Sequence, residues 1–241
     1  MTVILLRHGR STANTALTLA GRTPGVELDE TGWGQAEELR RRLAGLPIGA
    51  VVRSPLLRCR QTVEPLAAEF GVEPVIEESL TEVDYGSWTG RALKELAAEK
   101  LWSVVQQHPS SAVFPGGESM TEMATRAVRA VRLHDERLAE AAGRDVLWVA
   151  CSHGDVIKSV LADAYGMHLD HFQRIVVDPA SMSVVRYTPH RPFVLRVNDT
   201  GGDLAALRAE PTAPTDHSGT DQVGDASSDA SSDAVPGGNV P

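Results

Sequence analysis

The chain has 241 residues, a hydrophobic fraction of 42 % and a formal net charge of −9. That size suits one domain or one domain with an appendage, and its apolar content excludes wholesale disorder. Residues 201–241 hold seven acidic residues and one basic residue, Arg208, a net of −6 that leaves −3 for the rest; neither a nucleic-acid surface nor an anionic-membrane surface follows from such a balance.

Residues 3–6 are a short apolar run, which predicts a buried strand. The run stops at Arg7, too soon for a signal-peptide core or a membrane span, so a soluble, cytoplasmic protein is expected. Trp33, Ala36, Leu39 and Leu43 recur at helical spacing and predict a helix within 28–46. A second strand is expected at 50–52. Ser54 suits a helix N-cap and Pro55 the first helical position, so the next helix is expected from there to about Phe70. Val75-Ile76 predicts a brief third strand, and 93–105 reads as one helix. Ser119 with Glu122 forms a capping box ahead of a long helix carrying Met123, Ala127, Val131 and Leu138 on one side. Residues 146–150 predict a fourth strand, 155–165 a helix, and 182–187 with 193–197 a closing pair of strands.

Strands that alternate with helices predict an α/β fold, a three-layer α/β/α sandwich with a largely parallel central sheet. The catalytic domain is expected over residues 1–200. Residues 201–241, rich in Gly, Ala, Ser, Asp and Pro and without Phe, Trp or Tyr, are expected to form a disordered acidic tail. Cys59 and Cys151 are too few for a disulfide framework, which points to a reducing compartment.

Two of these strands end alike. The first runs into Arg7-His8-Gly9 and the fourth into Ser152-His153-Gly154. Ligands of open α/β sheets bind beyond the carboxyl ends of the strands, so both histidines can face one site. Glycine after each histidine allows a turn and a close backbone approach to a ligand. The second strand delivers Arg58 into the first turn of its helix, where an anion is favoured. Two arginines and two histidines thus concentrate positive charge in a mildly acidic body. Cys-x₅-Arg is absent, because Pro65 and Ile157 stand six residues after Cys59 and Cys151, and there is no Walker A sequence. Ser152, His153 and Asp155 are too close in sequence for a serine-hydrolase triad. His168 and His171 share a helix face without an evident third metal ligand, so a solvated face is the simpler reading.

Arg7-His8-Gly9 followed by Ser11-Thr12 and Asn14 resembles the signature of the histidine phosphatase superfamily, which includes the phosphoglycerate mutases. Further segments keep the family order: residues 28–36, Ser54 to Thr62, Leu80 to Gly90, Pro115-Gly116-Gly117-Glu118-Ser119 and Ser152-His153-Gly154. The resemblance covers roughly residues 1–190. It implies a phosphoglycerate mutase-like fold and phosphoryl transfer from a small phosphorylated metabolite, without metal or cofactor. His8 is then the nucleophile that becomes phosphorylated. Arg7, Arg58 and His153 hold the phosphoryl oxygens, and Glu82 protonates the leaving oxygen. Asn14 and the loop near Gly21 line the substrate side. Cys59 and Thr89 depart from the family's usual Ala and Glu, changes expected to alter the pocket wall more than the chemistry.

The chemistry sets further requirements. His8 must attack as a neutral imidazole, with its other ring nitrogen donating to a backbone carbonyl. His153 serves better protonated, and Glu82 must be protonated near neutrality. The stretch from 90 to 115 is short for a mutase insertion, which favours hydrolysis by a phosphatase with an open site. A phosphomutase and a non-catalytic phosphate-binding protein are the alternatives. Closed dimers are the commonest oligomers, so a homodimer stays open.

Overall fold

In the computed structural model, which describes residues 1–202, the apolar runs become the strands of one sheet. In chain order the elements are β1 (Thr2–Arg7), α1 (Thr12–Thr15), α2 (Glu30–Leu43), β2 (Ile48–Arg53), α3 (Leu57–Phe70), β3 (Val75–Ile76), α4 (Leu93–Leu96), α5 (Lys100–Gln107), α6 (Met120–Ala142), β4 (Leu147–Ser152), α7 (Gly154–Tyr165), β5 (Met182–Tyr187) and β6 (Pro192–Asp199). The six strands lie in the order β3-β2-β4-β1-β5-β6. The first four in that order are mutually parallel, and β5 and β6 add an antiparallel edge.

Alternation along the central strands fills both faces. Val3, Leu5, Val52, Trp148 and Ala150 pack with Met123, Ala127 and Val131 of α6 and Ile157, Val160 and Leu161 of α7. Ile4, Leu6, Val51, Val149 and Cys151 point the other way, against Leu39 and Leu43 of α2 and Cys59, Val63 and Leu66 of α3. The expected three-layer sandwich results. Each fully buried Val or Leu contributes about 1.5–3 kcal/mol, so the strands at the centre, buried on both sides, are fixed most firmly.

Three details differ from the sequence expectation. α3 starts at Leu57 with Leu56 in the N-cap position and no side-chain cap, so neither Ser54 as cap nor Pro55 as first residue is realised. The Ser54 hydroxyl is instead held by His153, 2.8 Å away. The helix expected over 93–105 is two helices, α4 and α5. Glu99 breaks it by taking an extended conformation, φ −76° and ψ 142°, while its carboxylate pairs with Arg91 at 2.8 Å. The four-residue α1, capped reciprocally by Ser11 and Asn14, has no counterpart among the expected elements.

The capping box of α6 is present as expected, with Ser119 and Glu122 bonding each other's backbone. Gly143 closes that helix at φ +61°, a conformation that costs glycine little. Apart from Gly201 and Gly202, the expected disordered tail lies outside the described residues. Among the described residues, no helix is long and apolar enough to cross a membrane.

Candidate active site

The register of the sheet assembles the site. Arg7 lies opposite Ser152, and Arg53 opposite Cys151, so β1, β4 and β2 end side by side. The chain leaves all three strands tied to its neighbours: His8 N–H donates to the Ser152 carbonyl (3.0 Å) and Ser54 N–H to that of Cys151 (2.9 Å). His8, His153 and Ser54 are thereby held on adjoining rigid ends. The two imidazole rings stand 5.2 Å apart between centroids.

His8 is buried and fixed in one tautomer. Its Nδ1 lies 2.7 Å from the Gly9 carbonyl, to which only an N–H can bond favourably. The Nε2 lone pair is therefore exposed to the site, where Arg58 Nε donates to it at 3.2 Å. Burial first, then Arg58 and Arg7, hold the His8 pKa well below its ordinary value, so the ring is neutral at neutral pH. The backbone N–H of Gly9 donates to Thr62 Oγ1 at 2.9 Å, and that hydroxyl donates to the Arg58 carbonyl at 2.7 Å. A side chain at Gly9 would place its Cβ 2.8 Å from the Gly32 carbonyl. The glycine after His8 is thus needed for the approach of α2.

Arg58 joins the pieces. Beyond His8, its Nη2 donates to the Gly21 carbonyl at 2.9 Å and meets His153 Nδ1 at 3.1 Å. A guanidinium has no acceptor, so His153 Nδ1 must carry a lone pair. His153 Nε2–H then donates to Ser54 Oγ, and the Cys59 thiol lies 3.6 Å from the same nitrogen. Burial, Arg58, His8 and Arg7 together hold the His153 pKa well below its ordinary value. The expectation of a protonated His153 is not met here, because three cationic or potentially cationic neighbours share one dry site. Arg58 Nη1 is buried with no hydrogen-bond partner among the described protein atoms, a donor suited to an anionic oxygen.

Arg7 is wholly buried, and its Nη1 donates to the Val177 carbonyl at 2.6 Å. Burial lowers its pKa to about 10 against the opposing pull of Glu82, Asp178 and Asp155, so it remains a cation at neutral pH.

Glu82 supplies the acidic counterpart. It is 3 % exposed, and its Oε1 accepts from Val83 N–H at 2.9 Å. Burial and the nearby Asp155 raise its pKa to about 7, while Arg58 and Arg7 oppose them. Asp155 is fully buried and accepts from the Tyr85 hydroxyl at 2.7 Å. Gly21 supports the opposite wall at φ +50°, and a Cβ there would meet Thr89 Oγ1 at 3.0 Å and Tyr85 Cδ2 at 3.1 Å. Thr89 therefore bears on the site through Gly21, consistent with a role in the wall.

The sequence-derived residues are thus brought together unequally. Arg7, His8, Arg58, His153 and Glu82 form one buried electrostatic group. Gly21 touches it through its carbonyl. Asn14 is committed to capping, its Oδ1 accepting from Ser11 N–H (3.0 Å) and Ser11 Oγ (2.8 Å). Ser54, Thr62, Tyr85 and Asp155 belong to the same constellation but carry no functional reading in the sequence. All four stand within or beside motif segments, the one signal that could have found them. His168 caps its own turn, accepting from Asp170 N–H at 3.3 Å. Among the described residues, no group of three or more His, Cys, Asp or Glu could hold a metal ion.

Comparison with known proteins bears on this geometry. Residues 3–200 match the family model described as histidine phosphatase superfamily (branch 1). The bifunctional protein Rv2228c of Mycobacterium tuberculosis is 33 % identical over 206 residues, covering 83 % of this chain and 54 % of that protein. The chain therefore spans about half the length of this relative. A protein of Photorhabdus laumondii named as a probable phosphoglycerate mutase, GpmB, is 31 % identical over 85 % of this chain and 94 % of its own length. The solved structure of a mycobacterial glucosyl-3-phosphoglycerate phosphatase, Rv2419c, superposes with a TM-score of 0.74 at 22 % identity, over 82 % of this chain and 98 % of that one, which shows the shared fold.

Proposed function

The chain belongs to the histidine phosphatase superfamily, and on that premise we propose that it hydrolyses a small phosphomonoester through a phosphohistidine on His8. The observation that carries the reading is the tautomer of His8, whose Nδ1 is bound to the Gly9 carbonyl and whose Nε2 lone pair faces Arg58.

His8 Nε2 attacks phosphorus as the bond to the ester oxygen breaks, and Glu82 gives its proton to that oxygen. Water then loses a proton to the Glu82 carboxylate and attacks phosphorus. Cleavage of the N–P bond releases inorganic phosphate and restores neutral His8 and protonated Glu82. Charge spread over the phosphoryl oxygens is met by Arg7 and Arg58, which positioning and electrostatic stabilisation require. An arriving dianion raises the pKa of His153, so its Nδ1 gains a proton as the ligand binds and turns from acceptor to donor. A pKa of about 7 suits Glu82 to both proton transfers.

A phosphomutase is the second reading, favoured by the likeness to the Photorhabdus protein along 94 % of its length. It shares the first step and returns the phosphoryl group to a second hydroxyl in place of water. One experiment separates these readings. The protein is quenched without acid after brief exposure to an aryl phosphate and examined by mass spectrometry beside His8→Ala, while phosphate release and isomerised ester are followed with 3-phosphoglycerate. An adduct on His8 with phosphate release supports hydrolysis. Isomer without phosphate establishes the mutase, and an adduct that persists in His8→Ala removes the mechanism.

A further inference from the structure

Glu82 sits on a loop with no strand to hold it, yet an acid must be aimed to a few tenths of an ångström. We infer that Glu118 and Arg126, with Arg22, are positioning residues that clamp the Glu82 backbone and so aim its carboxyl. The inference rests on the proposed role of Glu82 as the acid.

Arg126 projects from α6 and spends its guanidinium on this loop. Nη1 donates to the carbonyls of Ser79 and Thr81, both at 2.8 Å, and Nη2 to that of Glu82 at 3.1 Å. Its remaining bonds form a two-point pair with Glu118, at 3.0 Å from Nε and 2.6 Å from Nη2. Arg22 reaches the same Glu82 carbonyl from the other side at 2.9 Å and bonds the same Glu118 oxygen at 2.8 Å. That oxygen also accepts from Asp84 N–H at 2.9 Å. Two arginines thus hold one carbonyl, and one carboxylate holds both arginines. With the backbone fixed, Val83 N–H pins one carboxyl oxygen of Glu82.

Backbone packing explains why Glu118 arrives there. The segment carrying Glu118 lies flat on the Glu82 loop: Glu118 N–H donates to the Asp84 carbonyl at 3.0 Å and Ser87 N–H to that of Pro115 at 2.9 Å. A Cβ at Gly117 would stand 2.1 Å from the Asp84 carbonyl oxygen, so no side chain fits between the two loops.

An acid that is misaimed but still present has a specific signature. Protonation matters for a basic alkoxide leaving group and little for a weakly basic phenolate, whereas damage to phosphoryl binding slows both. Glu118→Gln is assayed with 4-nitrophenyl phosphate and with glycerol 1-phosphate, alone and combined with Glu82→Gln. Arg22→Met is the second variant; its side chain is 37 % exposed, so its loss spares the core. Thermal melts confirm that each folds. Expected in kcat/KM, which reports the steps up to release of the alcohol or phenol and leaves out the water step that both esters share, is a loss of about 10- to 100-fold on the alkyl ester, at most about threefold on the aryl ester, and no further loss in the double variant. Equal losses on both esters, no loss, or additive losses in the double variant overturn the clamp. A failure of the parent reading looks different: Glu82→Gln alone then shows no preference between esters, or the wild type turns over neither, and the clamp falls with the acid it was to aim.

Discussion

The two halves of the site are built by opposite means. The half proposed to bind the phosphoryl group, Arg7, His8, Arg58 and His153, stands on strand ends and a helix start whose places are set by the core beneath them. In the half proposed to supply the acid, Glu82 hangs on a loop between β3 and α4 and is set in place by Asp155, Tyr85, Arg22, Glu118 and Arg126, most of them from distant parts of the chain. Yet one physical cause prepares both. Burial disfavours charge of either sign, so it depresses the pKa of His8 and raises that of Glu82. The same dry site therefore yields a neutral imidazole and a neutral carboxylic acid at one pH, the states that the proposed nucleophile and acid need. Charged neighbours then sharpen the contrast, cations around the histidine and Asp155 beside the glutamate.

The strongest way to test that division is to remove the acid. Glu82→Gln keeps the shape but cannot give a proton, and about 10²- to 10⁴-fold loss of kcat/KM on an alkyl phosphate is expected. The pH profile carries the decisive sign. In the wild type, activity on that ester falls as pH rises through about 7, where Glu82 deprotonates, while His8 limits it only at a pH well below its ordinary pKa. The variant loses the alkaline limb assigned to Glu82. An unchanged limb would assign it to another group.

On the other half, Arg58→Lys keeps the charge and loses the fork. Lysine cannot serve His8, the Gly21 carbonyl and His153 together as the guanidinium does. About 10²-fold loss is expected, similar for alkyl and aryl esters, because phosphoryl oxygens are common to both. A loss confined to the alkyl ester would mean that the halves are not separable in this way.

This division also tracks what is legible in the sequence. Strand ends bearing His-Gly pairs are local patterns, and parallel pairing then places them together, so the four residues of the first half can be read from the chain alone. Ser54 is the exception among their neighbours. A serine before proline is a good helix cap in isolation, and only the sheet register shows that His153 competes for its hydroxyl. The acid half is legible solely at Glu82, through a motif. Arg126 lies 44 residues from the carbonyl it holds and Arg22 lies 96 from Glu118, and no local pattern encodes such pairings. The break at Glu99 has the same character, since a helical period runs through it while the backbone there turns extended.

The finest adjustment belongs to Asp155. Its carboxylate is the second cause, after burial, of the raised Glu82 pKa. The groups around the pair are Tyr85, which donates to Asp155, the cations Arg58 and Arg7, which oppose the rise, and the buried Lys158 one turn along α7. Asp155→Asn keeps an oxygen for Tyr85 and deletes the charge. The Glu82 pKa then falls, and the alkaline limb on an alkyl ester moves to lower pH. Activity at about pH 5 stays nearly constant, and activity above about pH 7 drops several-fold. Stability gives an independent reading with its own sign. A carboxyl whose folded pKa is about 7, against an ordinary 4.5, destabilises the fold progressively as pH rises between those values. Removing Asp155 narrows the gap, so thermal melts of the variant should lose less stability than the wild type between pH 4.5 and about 7. A limb and a melting profile that both stay in place would leave burial alone as the cause that keeps Glu82 protonated.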